Sequence, residues 1–327
     1  METMTYKKFM AASALVVAAG FGGAAYAADY PERPIQMIVP WGAGGGSDAV
    51  ARIIASVLQE DLGQPVNVVN RTGGSGVVGH SAISAADPDG YTIGLATVEI
   101  TMMHWQGLTD LSYKDYDIIG IVNQDAAGVM VSADSKYKDI KSLNDAIKSQ
   151  PAGTFSASGT AQGGIWHVAE AGWMVANDLD AGHVKWVPSE GSASAITEMV
   201  AGGISIVTAS LPEGRSMIEA GRIIPLATMS DERHPLYPDV PTLKEATGID
   251  WTLGAWRGVF APKGLPADVR EKLSAAVEKA YESPEYQDFM KGRGLGVVWR
   301  AGDDATNFVA KSDVTFGEVM KAAGLTK

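Results

Sequence analysis

VPWGAGGGSDAVARIIASVLQEDLG, residues 39–63, decides how the chain is read. It begins at the end of IQMIVP, an apolar run with strand character. Glycines stand at 42, 44, 45 and 46, and beyond them Val50, Ile53, Ile54, Val57, Leu58 and Leu62 recur at the spacing of one helical face. Gly63 suits the helix stop. Strand, glycine turn and helix in that order make one α/β unit. The N–H groups freed at such a helix start, together with its dipole, favour an anion. Glycine lets the anion come close to the backbone, but a strand-to-helix turn also needs glycine for its geometry alone. The loop by itself supports both readings equally.

The neighbours of the glycines narrow the anion. A nucleotide phosphate loop needs Lys and then Ser or Thr after the last glycine, whereas Ser47 and Asp48 follow Gly46. A dinucleotide fingerprint counted from Gly42 needs a sixth-position glycine and finds Ser47. Asp48 reads as the helix N-cap, and its charge disfavours a multiply charged phosphate. A small organic acid fits better than a nucleotide.

Outward from this unit the alternation continues. VNVVN and DPDGYTIGLAT supply strands around the helix VGHSAISAA. IIGIVN and AGVMVSA read as two further strands, and Ser142 with Asp145 resembles a capping box for the helix LNDAIKSQ. GTFSAS, VKWVP, ISIVTAS, IIPLATM and GAWRGVFAP are strands interleaved with helices. SDERHPLYPDVPTLKEATG reads as a loop. The helices PADVREKLSAAVEKAYES and PEYQDFMKGRG, the second capped by Ser283 and Pro284, close the chain. Strands alternating with helices point to a parallel sheet covered on both faces.

Composition bounds the function. The chain has 327 residues, 46% of them hydrophobic and 20% charged, an ordinary globular mixture large enough for two domains. With 26 Lys and Arg against 38 Asp and Glu, the formal charge is -12, which excludes a phosphate-backbone partner and so nucleic acid. Lys7 and Lys8 precede an apolar run over residues 9–21, and Ala25-Tyr26-Ala27 is a small-x-small cleavage site. Residues 1–27 therefore read as a signal peptide, too short for a membrane span. Losing Glu2, Lys7 and Lys8 with it leaves -13 on an exported, soluble protein. The chain has no cysteine, so neither disulfides nor a thiol nucleophile is available.

Catalytic, metal and cofactor chemistry find no footing. His80, His104, His167, His183 and His234 show no metal-ligand spacing, and His167, inside a helical pattern, reads as a structural donor. No Gly-x-Ser-x-Gly elbow occurs, and Ser135-Lys136-Tyr137-Lys138 matches Ser-x-x-Lys by chance in a polar turn. Asp303 and Asp304 read as solvated residues beside a turn. Binding residues are easier to nominate. SASGTAQGG and VPSEGSASA are small polar turns at strand ends, like the first loop, and three such turns facing one crevice would make a site. Trp41 reads as a crevice wall, with Trp166 beside the second turn and Trp256 on a late strand. Arg257 offers a counter-charge for a carboxylate, and Glu99 an acceptor for a ligand hydroxyl or amine or simply a helix-start acid.

YPERPIQMIVPWGAGGGSD, NRTGGSGVVG, DPDGYTIGLAT, FSASGTAQGG, VPSEGSASAITEMVAGG, LPEGRSMIEAGRIIPLAT, YPDVPTLKEA and WRGVFAPKGLP, in this order and spacing, resemble the substrate-binding receptors of tripartite tricarboxylate transporters, also called Bug receptors. The resemblance covers essentially the whole chain after residue 27. It implies an α/β, two-lobed periplasmic binding protein fold of type II character. Each lobe would be a mixed, mostly parallel sheet flanked by helices, with the ligand cleft between lobes. The first lobe would hold residues 28–122 and 255–327, and the second residues 123–254, crossover strands included. Carried onto this sequence, the ligand contacts are Trp41, Gly42, Ala43, Gly44, Gly45, Gly46 and Ser47; Thr97 and Glu99; Ser158, Gly159 and Thr160; Gly191, Ser192 and Ala193; and Ser210. The implied function is a monomeric periplasmic receptor, without cofactor, that delivers a di- or tricarboxylate or related acid to membrane permease subunits. An exported enzyme acting on an organic acid, or a binding protein serving a sensor kinase, are the alternatives.

Overall fold

In the computed structural model, residues 30–327 are described, and residues 1–27, read from sequence as a signal peptide, lie outside them. The chain runs β1 (Ile35–Val39), α1 (Gly46–Leu62), β2 (Val66–Asn70), α2 (Val77–Ser84), β3 (Thr92–Thr97) and β4 (Tyr116–Ser132). Next come α3 (Ile140–Ser149), β5 (Ser156–Ser158), α4 (Ile165–Ala176), β6 (Lys185–Trp186), α5 (Ser192–Val200), β7 (Ile206–Ala209), α6 (Arg215–Glu219) and β8 (Ile223–Met229). It ends with α7 (Leu243–Thr247), β9 (Gly254–Pro262), α8 (Ala267–Glu282), α9 (Pro284–Arg293), β10 (Val297–Arg300) and α10 (Gly302–Ala322).

Among the described residues, ten strands form one sheet in the order β2-β1-β3-β9-β4-β7-β5-β6, with β8 and β10 also pairing to β4. Parallel pairing occupies the flanks, where β1 joins β2 and β3, and β5 joins β6 and β7. At the centre the pairing is antiparallel, because β4 and β9 run against every strand they meet. The alternation of strands and helices thus predicts the flanks and misses the centre. The architecture is mixed α/β.

β4 joins the two halves of the sheet. Residues 116–126 pair with β9, and residues 127–132 with β7 and β8. Sequence reading broke this strand in two at Gln124-Asp125-Ala126, since a charged residue disfavours a strand interior. The strand continues because Asp125 is neutralised there: Arg257, on the neighbouring β9, donates to it at 2.6 Å. α1 packs its apolar stripe inward, with Val50, Ile54 and Leu58 fully buried, and Gly63 ends it in the left-handed region at φ 66°.

Three boundaries differ from expectation. α3 is capped by Asp139, which accepts from Ser142 N–H at 2.8 Å, rather than by a Ser142–Asp145 box. The loop after β8 contains α7, opened by a reciprocal Thr242–Glu245 capping box. The chain also continues past α9 into β10 and α10. Asp303 and Asp304, read as residues beside a turn, lie in the first turn of α10, where acidic groups complement the helix dipole.

Two buried histidines support the loops near the sheet ends. His80 Nε2 accepts the Thr97 N–H at 3.2 Å, so its proton resides on Nδ1 and donates to Gly76 O at 2.8 Å. His167 Nδ1 accepts the Gly163 N–H at 2.9 Å, an acceptor role rather than the donor role read from sequence. Burial drives the pKa of each down to about 4. Unfolded histidine titrates near 6.5, so the folded state binds fewer protons below that pH. The stabilisation is complete above pH ~6.5 and is lost as pH falls towards 4, by roughly 3 kcal/mol per histidine. Urea denaturation at pH 7.5 and 4.5 should show this loss. His80→Gln should be less stable at pH 7.5 but lose less on acidification. An unchanged acid slope in that variant would contradict the assignment.

Candidate functional site

The site forms where loops from the two ends of the sheet meet. From one side come the glycine loop between β1 and α1, the short helical turn Val98–Thr101 after β3, and Arg257 on β9. From the other come the turns before α4 and α5 and the turn Leu211–Gly214 after β7. They enclose a cavity of about 30 Å³, room for about two waters.

Hydrogen bonds draw the two sides together. Gly42 N–H donates to Glu190 O at 3.0 Å, and Ser75 Oγ to Gln162 O at 2.8 Å. Gly46 N–H, the first amide of α1, donates to Glu213 Oε1 at 2.9 Å. Ile165 N–H, the first amide of α4, donates to Glu99 Oε1 at 3.0 Å. A helix start leaves its first amides without intrahelical partners. In this chain two of those starts are met by the protein's own carboxylates.

Arg257, 3% exposed, is the charged centre. Its Nε donates to Ser47 Oγ at 2.9 Å, and Nη1 to Asn123 Oδ1 and Asp125 Oδ2, both at 2.6 Å. Nη2 donates to Glu213 Oε1 at 3.0 Å. The counter-charge that sequence reading offered to a ligand is therefore already met by Asp125 and Glu213. Gly46 is glycine for the same reason: a Cβ there would stand 2.4 Å from Glu213 Oε1 and 2.6 Å from Arg257 Nη2.

Glu99, 1% exposed, ends a relay. Trp41 Nε1–H donates to Thr97 Oγ1 at 3.0 Å, and the Thr97 hydroxyl donates to Glu99 Oε2 in a short contact. Burial pushes the pKa of Glu99 up, and the Thr97 and Ile165 hydrogen bonds only partly oppose it. Burial raises Glu213 likewise, with Arg257 opposing and Asp125 reinforcing. Asp48 is not the cap of α1. Gly45 takes that position, and Asp48, buried in the first turn, accepts from Gly44 N–H and Asn70 and pairs with Arg52 at 2.9 Å. Burial alone would raise its pKa; the Arg52, Gly44 and Asn70 hydrogen bonds outweigh that and lower it.

Of the residues nominated from sequence, Trp41, Gly42, Gly45, Gly46, Ser47, Thr97, Glu99, Thr160, Gly191, Ser192 and Arg257 line the cavity. Ala43 and Gly44 are exposed at the outer edge of the loop. Ser158 pairs with Val207 inside the sheet, and Ala193 lies one residue outside the lining. Gly159 is a packing glycine, since a Cβ there would meet Thr208 O at 2.0 Å. Ser210 is buried behind the wall, its N–H given to Glu213 Oε2 at 3.2 Å. Sequence reading missed Glu213, Ile165 and Ala255 as lining residues, and left Trp166 only as a neighbour of its turn. For Glu213 a signal existed: Ser210 and Glu213 have capping-box spacing. Its bond to Gly46, 167 residues away, had none. Among the described residues the lining hydroxyls are Ser47, Thr97, Thr160 and Ser192, and no histidine lines the cavity.

Comparisons with known proteins agree with this architecture. The profile of the tripartite tricarboxylate transporter family receptor, TctC, matches residues 50–325. A UPF0065 protein from the tcbD-tcbE intergenic region of a Pseudomonas species is 34% identical over 269 residues, covering 81% of this chain and 79% of that protein. The structure of the periplasmic binding protein BugD superposes with TM-score 0.84 at 27% identity, covering 91% of this chain and 100% of that one. A Rhodopseudomonas palustris protein, Rpa4515, solved with adipate, has TM-score 0.85 at 24% identity, covering 91% and 99%, and shares the fold.

The Arg257 network makes a stability prediction. Arg257→Met strands Asp125 and Glu213 as buried, unpaired carboxylates and should cost ~3–5 kcal/mol in urea denaturation at pH 7.5. Arg257→Lys, which keeps the charge without the fork of donors, should fall between. A loss below ~1 kcal/mol for the Met variant would show that the network is not what holds this junction.

Proposed function

The chain belongs to the tripartite tricarboxylate transporter receptor family, and from that premise we propose that it captures a small organic acid between the loops that wall this cavity, in a form opened wider than the shut structure, and delivers it to membrane permease subunits. The family consists of solute-binding receptors rather than enzymes, and its members work in the periplasm. The single observation that carries the reading is the set of hydrogen bonds closing the cavity from opposite ends of one sheet, Gly42 to Glu190, Gly46 to Glu213 and Ile165 to Glu99.

Residues 28–122 with 255–327, and residues 123–254, act as two lobes, with β4 and β9 as the strands that flex between them. When the lobes part, these hydrogen bonds break and the glycine loop, the Thr160 turn and the Ser192 helix start become open to solvent. A carboxylate meets amides on one side, and closure brings the second side onto its other end. Each hydrogen bond strengthens as water leaves, and the solute shifts the population only as far as it binds the shut form better. The receptor works as a monomer and leaves the acid chemically unchanged. Trp41, held by Thr97, forms one wall, and Ser47, Thr160 and Ser192 supply hydroxyls.

Titration calorimetry and thermal shift against organic acids and amino acids should find a saturable 1:1 ligand that stabilises the protein, by ~2.7 kcal/mol when present at a hundredfold over its Kd. Mass spectrometry after incubation should recover that ligand unchanged. No binding across these classes, or its conversion to a product, would overturn the proposal.

A further inference from the structure

The cavity holds more negative than positive charge of its own. One guanidinium, Arg257, faces three carboxylates, Asp125, Glu213 and Glu99, each nine-tenths buried or more. Arg257 directs four of its five N–H groups to Ser47, Asn123, Asp125 and Glu213. The family name suggests a ligand with several carboxylates. Such a ligand would add like charges to a site where carboxylates already outnumber the cation, and buried like charges are costly unless paired.

The acceptors are unevenly used. A carboxylate offers about four acceptor positions. Glu213 spends three, on Gly46 N–H, Arg257 Nη2 and Ser210 N–H. Glu99 spends two, on Thr97 and Ile165, and retains capacity while lining the cavity. Thr160 Oγ1, in a residue 4% exposed that also lines the cavity, has no hydrogen-bond partner. A buried hydroxyl without a partner is a group waiting for one from outside the chain. Ser47 on the glycine loop, whose Oγ accepts from Arg257 and keeps its own O–H to give, and Ser192 at the start of α5 line the same cavity from its two sides and offer hydroxyls suited to a carboxylate.

We propose that the solute is zwitterionic, an α-amino acid or an equally small amino acid analogue, whose ammonium sits against Glu99 and Thr160 and whose carboxylate meets the glycine loop and the start of α5. This deepens the small-acid reading and rests on it. An ammonium offers three donors and no net charge comes with the ligand, so the site's own imbalance is left as it is rather than increased. Glu99 is then the residue that sets specificity, and the glycine loop the part that any acid of the class can use.

The test is titration calorimetry of the protein lacking residues 1–27, at pH 7.5, with pairs that differ only by the amine: aspartate and succinate, glutamate and glutarate, 2-aminoadipate and adipate. In the pair that fits the cavity, the amino member should bind at least tenfold more tightly. Succinate, glutarate or adipate binding as tightly as its amino partner would overturn this inference and leave the small-acid reading standing. Failure of every organic acid and amino acid to bind would overturn both. Glu99→Gln, which keeps an acceptor for Ile165 N–H, should reduce the amine preference to below about threefold while its thermal midpoint shows it folded. Glu213→Gln is the second variant, expected to weaken the preference less. Full preference retained in both variants would remove Glu99 from the role. Uptake of protons when a dicarboxylate binds, measured in two buffers of different ionisation enthalpy, would show the glutamates neutralising themselves instead and would also overturn the inference.

Discussion

One buried guanidinium holds the centre of this protein. Arg257 lies on β9, beside the strand that passes from one half of the sheet to the other, and it reaches Asp125 on that strand and Glu213 on a turn of the far half. Three features follow. β4 can carry an acid in its interior. The turn after β7 is tied to the glycine loop. Gly46 must be glycine, because Arg257 and Glu213 fill the space a side chain would need. Charges desolvated to this degree need hydrogen bonds beyond the ion pairs, and Ser47 and Asn123 take two more of the N–H groups of Arg257.

The same arrangement explains how helix starts serve a receptor without being permanently exposed. The first amides of α1 and α4 are met by Glu213 and Glu99 when the cavity is shut. On the proposed two-lobe reading, a carboxylate belonging to the chain releases an amide when the lobes part and takes it back when they close without solute. The solute has then to supply only the difference between the two states. His80 serves the site indirectly. Neutral through burial, it fixes the Thr97 amide, and Thr97 in turn joins Trp41 to Glu99.

Sequence alone made the first unit legible because its signals are local. The apolar spacing of α1, the glycines before it and Gly63 after it all act within a few residues. The small polar turns before α4 and α5 were legible for the same reason. What stayed hidden depends on contacts between distant segments. β4 reads from sequence as two strands, because the partner that lets Asp125 sit inside it lies 132 residues away. Asp48 looked like a cap, although Gly45 opens the helix and Asp48 binds back to Gly44. The last helix was the exception. Ala305, Val309, Phe316 and Met320 show a buried helical stripe that local reading could have found beyond Gly294. Glu213 was the costliest omission, since its local spacing explains a cap and only the fold shows it reaching the glycine loop.

Small-angle X-ray scattering from the solute-free protein tests the central claim most directly, because it reads whether the chain's own glutamates keep the cavity shut. The wild type should scatter as the shut structure does, and the Glu99→Ala/Glu213→Ala variant should show a larger radius of gyration while remaining folded. A wild type already as expanded as that variant would contradict the account.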